Sequence, residues 1–310
     1  MGDVKRLLIT GASGFIGSRT VAAAMVVGCE VVAVQRMVGE SRQHISHAPI
    51  DLTAPDARER LTEAMAGCDA VIHLAAAMSN DAAAHESLTL GSTRALLGAM
   101  EDAHVGHLTL ASSIAVFDTA RIPPGGALSD DCPLVDPVFP RDAYSGAKLA
   151  QENMARAAPL DSLAILRPGI VYDTGRLMNA HLGPAVGPAL LRYGANDRLP
   201  MCHVDRCAAA LVQAALARTS GCYAVLDRVL PTRDQVISNM QKDGWPRIVF
   251  PLPWQLLRGA GMVAGLWKAR PGLLRKDVLR HRAVPMRFRM TTPAASRDWP
   301  NPAPDWGGRS

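Results

Sequence analysis

Tyr144 and Lys148 stand four positions apart in the run Tyr144-Ser145-Gly146-Ala147-Lys148. Four residues are about one helical turn, so both side chains share a face. An ammonium beside a phenol favours the phenolate and draws a hydroxyl of ordinary pKa about 10 toward use as an acid or base. The same pair on a plain solvated helix face is the competing reading, and the rest of the chain decides between them. A second set of chemistry-bearing residues, Ser112-Ser113, closes the apolar run His107 to Ala111. Hydroxyls at the end of a strand are candidate contacts for a substrate oxygen.

A third set is the turn Gly11-Ala12-Ser13-Gly14-Phe15-Ile16-Gly17, with glycines at three-residue intervals. An apolar run, Val4 to Thr10, precedes it and a helical pattern, Phe15 to Val27, follows. Glycines in that context tighten a strand-to-helix turn and let backbone N–H groups approach a pyrophosphate at the positive end of a helix. The expected cradle is Gly11, Ser13, Gly14, Phe15, Ile16 and Gly17. The second strand, Val31 to Val34, ends in Gln35-Arg36. An acid at that place would hold ribose hydroxyls, whereas a cation accommodates a 2′-phosphate, so Arg36 favours NADP(H) while NAD(H) stays open.

The elements that must position these residues alternate along the chain. Ile50-Asp51-Leu52 reads as a short strand whose end, Asp51 and Leu52, could touch an adenine. Ala54 to Ala66 reads as a helix and Asp69 to Leu74 as a strand running into Ala75-Ala76-Ala77. Small residues there let a cofactor lie on the backbone at Leu74, Ala75 and Ala76, or serve ordinary close packing. His73 reads as a satisfied core histidine. A helical pattern from Asp81 to Ala103, the strand His107 to Ala111, an irregular Pro- and Gly-rich crossing over 118–142 and a strand at Leu163 to Leu166 follow. Arg167-Pro168-Gly169 breaks that strand, and Pro168 and Ile170 complete the expected cofactor contacts.

At 310 residues the chain suits one large domain with a smaller lobe. No leader pattern and no apolar run of transmembrane length is read, so a cytoplasmic protein is expected. Six cysteines lack metal-ligand spacing and read as free thiols, so no metal is expected. From Arg228 onward there are 15 Lys or Arg against 5 Asp or Glu. A solvated surface, a site for an anionic substrate and an acidic membrane all fit that excess. No nucleic-acid motif accompanies it, and no nucleic-acid partner is expected.

The ordered set GASGFIG, VIHLAAA, LASSIAVF, YSGAK and LRPGIVY resembles the extended short-chain dehydrogenase/reductase family, the NAD-dependent epimerase/dehydratase type, over essentially the whole chain. The resemblance implies an α/β, doubly wound, mostly parallel Rossmann-type sheet over residues 1–171. It places a smaller substrate-binding lobe over 172–310, with 204–227 returning to the sheet. It assigns Ser113 to the reacting oxygen, Tyr144 to proton transfer, and Lys148 to lowering the pKa of Tyr144 and holding the nicotinamide ribose. It makes a homodimer the expected assembly.

Departures from the family pattern narrow the activity. Phe117 replaces a usual tyrosine and Thr89 a supporting asparagine. Ile114-Ala115 stands where dehydratases carry an Asp-Glu pair, which argues against elimination of water. The expectation is an NAD(P)-dependent ketoreductase or alcohol dehydrogenase acting on a nucleotide-sugar or a hydrophobic biosynthetic intermediate. A nucleotide-sugar epimerase with tightly held NAD is the alternative, and a non-catalytic cofactor sensor a remote one. Asp205 reads as a helix cap. Trp254 to Ala269 reads as a core or lid helix, with interfacial membrane contact or an apolar substrate channel as alternatives. The stretch Trp299 to Trp306 reads as an extended tail.

Overall fold

The computed structural model describes residues 6–37, 44–252 and 286–289 and positions 299, 300, 302, 304 and 306. The Trp254 to Ala269 segment lies outside the described residues. The nucleus of the fold is a seven-stranded sheet of β1 (Arg6–Thr10), β2 (Glu30–Gln35), β3 (Ile45–Pro49), β4 (Ala70–His73), β5 (His107–Ala111), β7 (Ser162–Pro168) and β12 (Gly221–Val225). Their spatial order is β12-β7-β5-β4-β1-β2-β3, and every pairing is parallel. Parallel strands need crossovers that cover both faces, which is why the inner strands read as continuous apolar runs.

On one face Leu7, Ile9, Val31 and Leu166 pack with Ala24 of α1 (Phe15–Val26) and with Cys207, Ala210 and Leu211 of α6 (Val204–Leu216). On the other, Leu8, Val32, Val71 and Leu108 pack with α2 (Ala57–Ala64), α4 (Ser92–Asp102) and α5 (Ala143–Ala157) through Leu61, Leu96 and Ala155. The chain turns from β1 to opposite sides of the sheet, toward β2 and toward β4. That divergence is the switch point at which a doubly wound sheet opens a ligand crevice.

The structure corrects several expectations. The third strand is Ile45–Pro49, and 50–52 form the turn after it. An edge strand is buried on fewer sides, and the polar ISHAP run shows no apolar alternation to betray it. The helical pattern at 81–103 is split: α3 (Ala82–His85) passes into a π-helix, Glu86–Gly91, before α4. Such an insertion re-aims side chains, here His85 and Thr89, without ending the helix. The side chain that caps α6 is His203, accepting from Asp205 N at 3.2 Å; Asp205 sits in the first turn and faces Arg19 at 3.7 Å. The stretch read as an extended tail carries two buried tryptophans: the Arg206 guanidinium lies 5.3 Å from the Trp299 ring centre, and the Trp306 ring is tilted against Tyr172 at 5.7 Å.

The 118–142 crossing carries β6 (Ala127–Ser129), which pairs with β14 (Arg287–Arg289). Beyond β8 (Ile170–Tyr172) the chain forms β9 (Ala185–Val186) and β10 (Ala189–Tyr193), joined through Gly187 at φ +56°. β13 (Ile248–Leu252) pairs with β10, and β11 (Met201–His203) with β8. Val236, Ile237 and Met240 of α7 (Arg233–Lys242) pack against Tyr172, Leu190 and Met201 in this lobe. No helix among the described residues is long and apolar enough to cross a membrane.

Candidate functional site

The glycine turn is sterically compelled. Gly11 has φ +66°, and a side chain there would meet Ala75 N at 3.0 Å. A Cβ at Gly17 would lie 2.0 Å from Gly11 O, so the first helical turn packs directly on the strand exit. α1 begins at Phe15 with no side-chain cap and no acid in its first turn. Its N–H groups and positive dipole end face outward beside exposed Ser13 and Gly14. This cradle fits a dinucleotide pyrophosphate, with Leu74, Ala75 and Ala76 half-buried against it at the end of β4.

Arg36 is exposed at the end of β2, and its charge acts on Asp51 in the turn beyond β3. Hydrogen bonds from the Thr53 backbone and hydroxyl, with Arg36 adding to them, hold the Asp51 carboxyl below its ordinary value. The chain therefore brings together Arg36, Asp51 and half-buried Leu52 in one corner beyond the ends of β2 and β3. Pro168 is buried at the end of β7, and Ile170 is half-buried at the start of β8.

The reacting groups meet at the end of β5 and the start of α5. Asp142 caps α5 by accepting from Ser145 N at 2.7 Å, in a reciprocal capping box that fixes the helix start one residue before Tyr144. Tyr144 is half-buried, and its hydroxyl hydrogen-bonds the Ser113 side chain. Ser113 also accepts from Ala115 N at 3.1 Å. Ser112 has a different job: its hydroxyl donates to Glu152 at 2.6 Å, and Arg167 completes that buried ion pair at 2.7 Å. The His85 ring lies 5.9 Å from the Tyr144 ring. Thr89, at the position of the family's asparagine, bonds His85 Nδ1 at 3.0 Å and accepts from Ala77 N at 3.0 Å.

Lys148 is buried and anchored at its head group. Its Nζ donates to Ala111 O at 2.8 Å and to Gln151 Oε1 at 2.9 Å. Burial pushes its pKa down to about 8, against a smaller upward pull from Glu152. Burial also holds Tyr144 above its ordinary value, opposed by the Ser113 hydrogen bond, and Asp142 adds to the rise. Among the groups that act on Tyr144, burial outweighs the Ser113 hydrogen bond, while the Lys148 ammonium is engaged by Ala111 O and Gln151. The sequence reading also passed over Gln151, one turn beyond Lys148 on the same face; its i,i+3 spacing was the available signal.

The geometry joins a glycine turn to a Ser–Tyr–Lys cluster, and comparison with known proteins supplies the family and the fold. One relative, a 4-hydroxy-2-methyl-3-oxo-4-farnesyl-3,4-dihydroquinoline-1-oxide ketoreductase of Stigmatella aurantiaca, is 28% identical over 290 residues, covering 89% of this chain and 84% of the relative. Among solved structures, the UDP-glucose 4-epimerase of Thermus thermophilus in complex with NAD superposes with a TM-score of 0.67 at 21% identity, over 97% of this chain and 95% of that one. MoeE5 in complex with UDP-glucose and NAD gives 0.62 at 25% identity, over 91% and 99%. The sequence model of the NAD dependent epimerase/dehydratase family matches residues 7–221, which is most of the chain including the cradle, Ser113, Tyr144 and Lys148, and the protein belongs to that family.

Proposed function

We propose that this chain is an NADP(H)-dependent ketoreductase acting on a largely apolar carbonyl compound. The observation that carries this reading is the Ser113–Tyr144 hydrogen bond, on the same sheet as a β2 end that offers Arg36 and no acid; a small pocket opens at Ile114, the residue after Ser113. Its apolar walls are Ile114, Leu128, Leu199, Pro200, Met286 and Phe288, and Thr119, His181, Asp197, Arg198 and Arg233 are its polar parts. Apolar walls recognise a substrate by buried area, and a few polar groups orient it. The similarity to a ketoreductase whose named substrate carries a farnesyl chain supports the same class.

A bound dihydronicotinamide supplies the hydride in this chemistry. Ser113 would hold the carbonyl oxygen, and Tyr144 would deliver the proton to it. Burial keeps Tyr144 in its phenol form, the form that can give a proton to a carbonyl oxygen. Lys148 would hold the ribose and replenish charge beside the phenol. Arg36, with no acid at the end of β2, favours the 2′-phosphate of NADP(H).

The test is consumption of NADPH and NADH, followed by absorbance, with apolar ketones and with UDP-sugars. Stoichiometric NADPH oxidation with an apolar ketone is expected. A preparation that carries non-exchanging NAD and epimerises a UDP-sugar without net cofactor turnover would establish the epimerase reading instead.

A further inference from the structure

We propose that Gln151 is a positioning residue for Lys148, and that Thr93 and His73 fix Gln151 in a buried hydrogen-bond chain that ties the lysine to the glycine turn. The chain starts at Lys148 Nζ, which donates to Gln151 Oε1 at 2.9 Å. Gln151 Nε2 donates to Thr93 Oγ1 at 2.8 Å, and His73 Nε2 meets the same oxygen at 2.9 Å. His73 Nδ1 lies 2.7 Å from Thr10 Oγ1, and that oxygen accepts from Leu74 N and Ala75 N at 3.2 and 3.3 Å. Thr10, His73 and Thr93 are 0% exposed, Gln151 1% and Lys148 4%.

The proton positions in this chain have one consistent solution. Thr93 gives its hydroxyl proton to Thr89 O at 2.6 Å, so Thr93 Oγ1 must accept from both Gln151 and His73. His73 therefore carries its proton on Nε2, and Nδ1 accepts from Thr10. A protonated His73 would place a second hydrogen against Thr10, whose own proton already points there. Burial and the Lys148 charge hold its pKa down to about 3, so it is a neutral, fixed spacer.

The consequence is orientation. With Ala111 O and Gln151 Oε1 occupying two of its N–H groups, Lys148 has one left, directed by those two anchors. The amide orientation of Gln151 is in turn dictated by Thr93, since a flipped amide would present N–H groups to the ammonium. Thr10 immediately precedes Gly11, so the same chain bridges the cofactor cradle and the lysine through the interior of the sheet. Gln151, Thr93 and His73 are at most 1% exposed, so any influence they have on bound molecules runs through Lys148.

The test reads Lys148 directly and needs no substrate. The chain has five lysines, Lys5, Lys148, Lys242, Lys268 and Lys276, so protein labelled with ¹³C at the lysine Cε gives a small set of resonances to titrate. The titratable groups near Lys148 are Tyr144 and Glu152 on its own helix and His73 on β4, and Glu152 is already paired with Arg167. Gln151→Glu keeps the acceptor and adds charge, so the Lys148 midpoint moves up; Gln151→Met removes the acceptor and moves it down. Thr93→Val, which keeps the shape and frees the amide, moves it in the same sense as Gln151→Met but less. Unchanged midpoints in all three folded variants would overturn the proposal.

The kinetic arm rests on the proposed reductase reading. Gln151→Met lowers kcat on the order of 10- to 100-fold with KM little changed, as expected when a reacting group is displaced by about 1 Å. Gln151→Glu recovers part of the loss. A moved Lys148 midpoint with no activity on any carbonyl compound supports the positioning role and counts against the reductase reading alone.

Discussion

Glu152 gives a sharp test of how the site is held. Its side chain is 0% exposed and accepts four hydrogen bonds: Ser112 Oγ at 2.6 Å, Arg167 at 2.9 and 2.7 Å, and Arg156 at 3.0 Å. Arg156 is 44% exposed in that pair and contributes little. Arg167 is enclosed, with its guanidinium 4.7 Å from the centre of the Phe117 ring. Glu152→Gln keeps the volume but strands the Arg167 charge, and breaking a buried pair from one side costs about 3–5 kcal/mol. For 310 residues, with an unfolding entropy of about 2.1 cal/mol/K per residue, that is a fall in Tm of roughly 5–8 °C.

The pH dependence follows from the same contacts. Burial alone would raise the Glu152 carboxyl, but the hydrogen bonds and charge of Arg167, aided by Ser112, hold it below its ordinary value. A lowered folded pKa contributes stability above the unfolded value of about 4.3, and that contribution is lost as pH falls through the folded value. The gap between wild type and Glu152→Gln, measured by urea unfolding, is therefore full at pH 7 and narrows below about pH 4. Glu152→Leu combined with Arg167→Met recovers most of the loss, because removing both charges leaves none unpaired. A penalty at pH 7 under about 1 kcal/mol, or one that persists unchanged to pH 3, would refute the reasoning.

Other consequences concern the proposed chemistry. Tyr144→Phe lowers turnover about 10²–10⁴-fold while NADPH affinity, followed by fluorescence, stays within a factor of a few; an undiminished rate would remove Tyr144 as the proton donor. Arg36→Ala weakens NADPH binding by about tenfold or more and NADH binding little, because only the former loses a charge-assisted phosphate contact; calorimetry with both cofactors decides it. Gly17→Ala forces a Cβ onto Gly11 O, so both the melting temperature and dinucleotide affinity fall. Lys148 sheds its proton from about pH 8 upward in the free enzyme, and cofactor affinity measured between pH 6 and 10 declines over that range. Affinity that stays level to pH 10 would mean the ammonium is not a cofactor contact.

Much of the cofactor side was legible in the chain because local sterics write themselves locally. Gly11 and Gly17 are glycine for reasons that a strand, a turn and a helix in sequence already imply, and the buried strands β1, β2 and β4 had to be apolar on both faces. The edge strand β3 was misplaced by five residues because its partial exposure leaves no periodic signal. The π-helix at Glu86–Gly91 was invisible because its residues also suit an α-helix, and its register is settled by packing.

By itself, then, the sequence determined the order of elements, the glycine cradle, the Ser113, Tyr144 and Lys148 set, and the cation at the end of β2. Each depends on neighbours within a few residues or on an ordered set of motifs. Only the tertiary structure decided what those groups feel. Lys148 meets Gln151, Thr93 and His73 through contacts that span up to 58 residues between Thr93 and Gln151, and Ser112 meets Glu152 across 40. Desolvation, which keeps Tyr144 a phenol and lowers Lys148, is a property of the packed interior rather than of spacing. The pair that spacing reads as a mutual activation has, in the fold, separate anchors: Ser113 for Tyr144, and Ala111 O and Gln151 for Lys148.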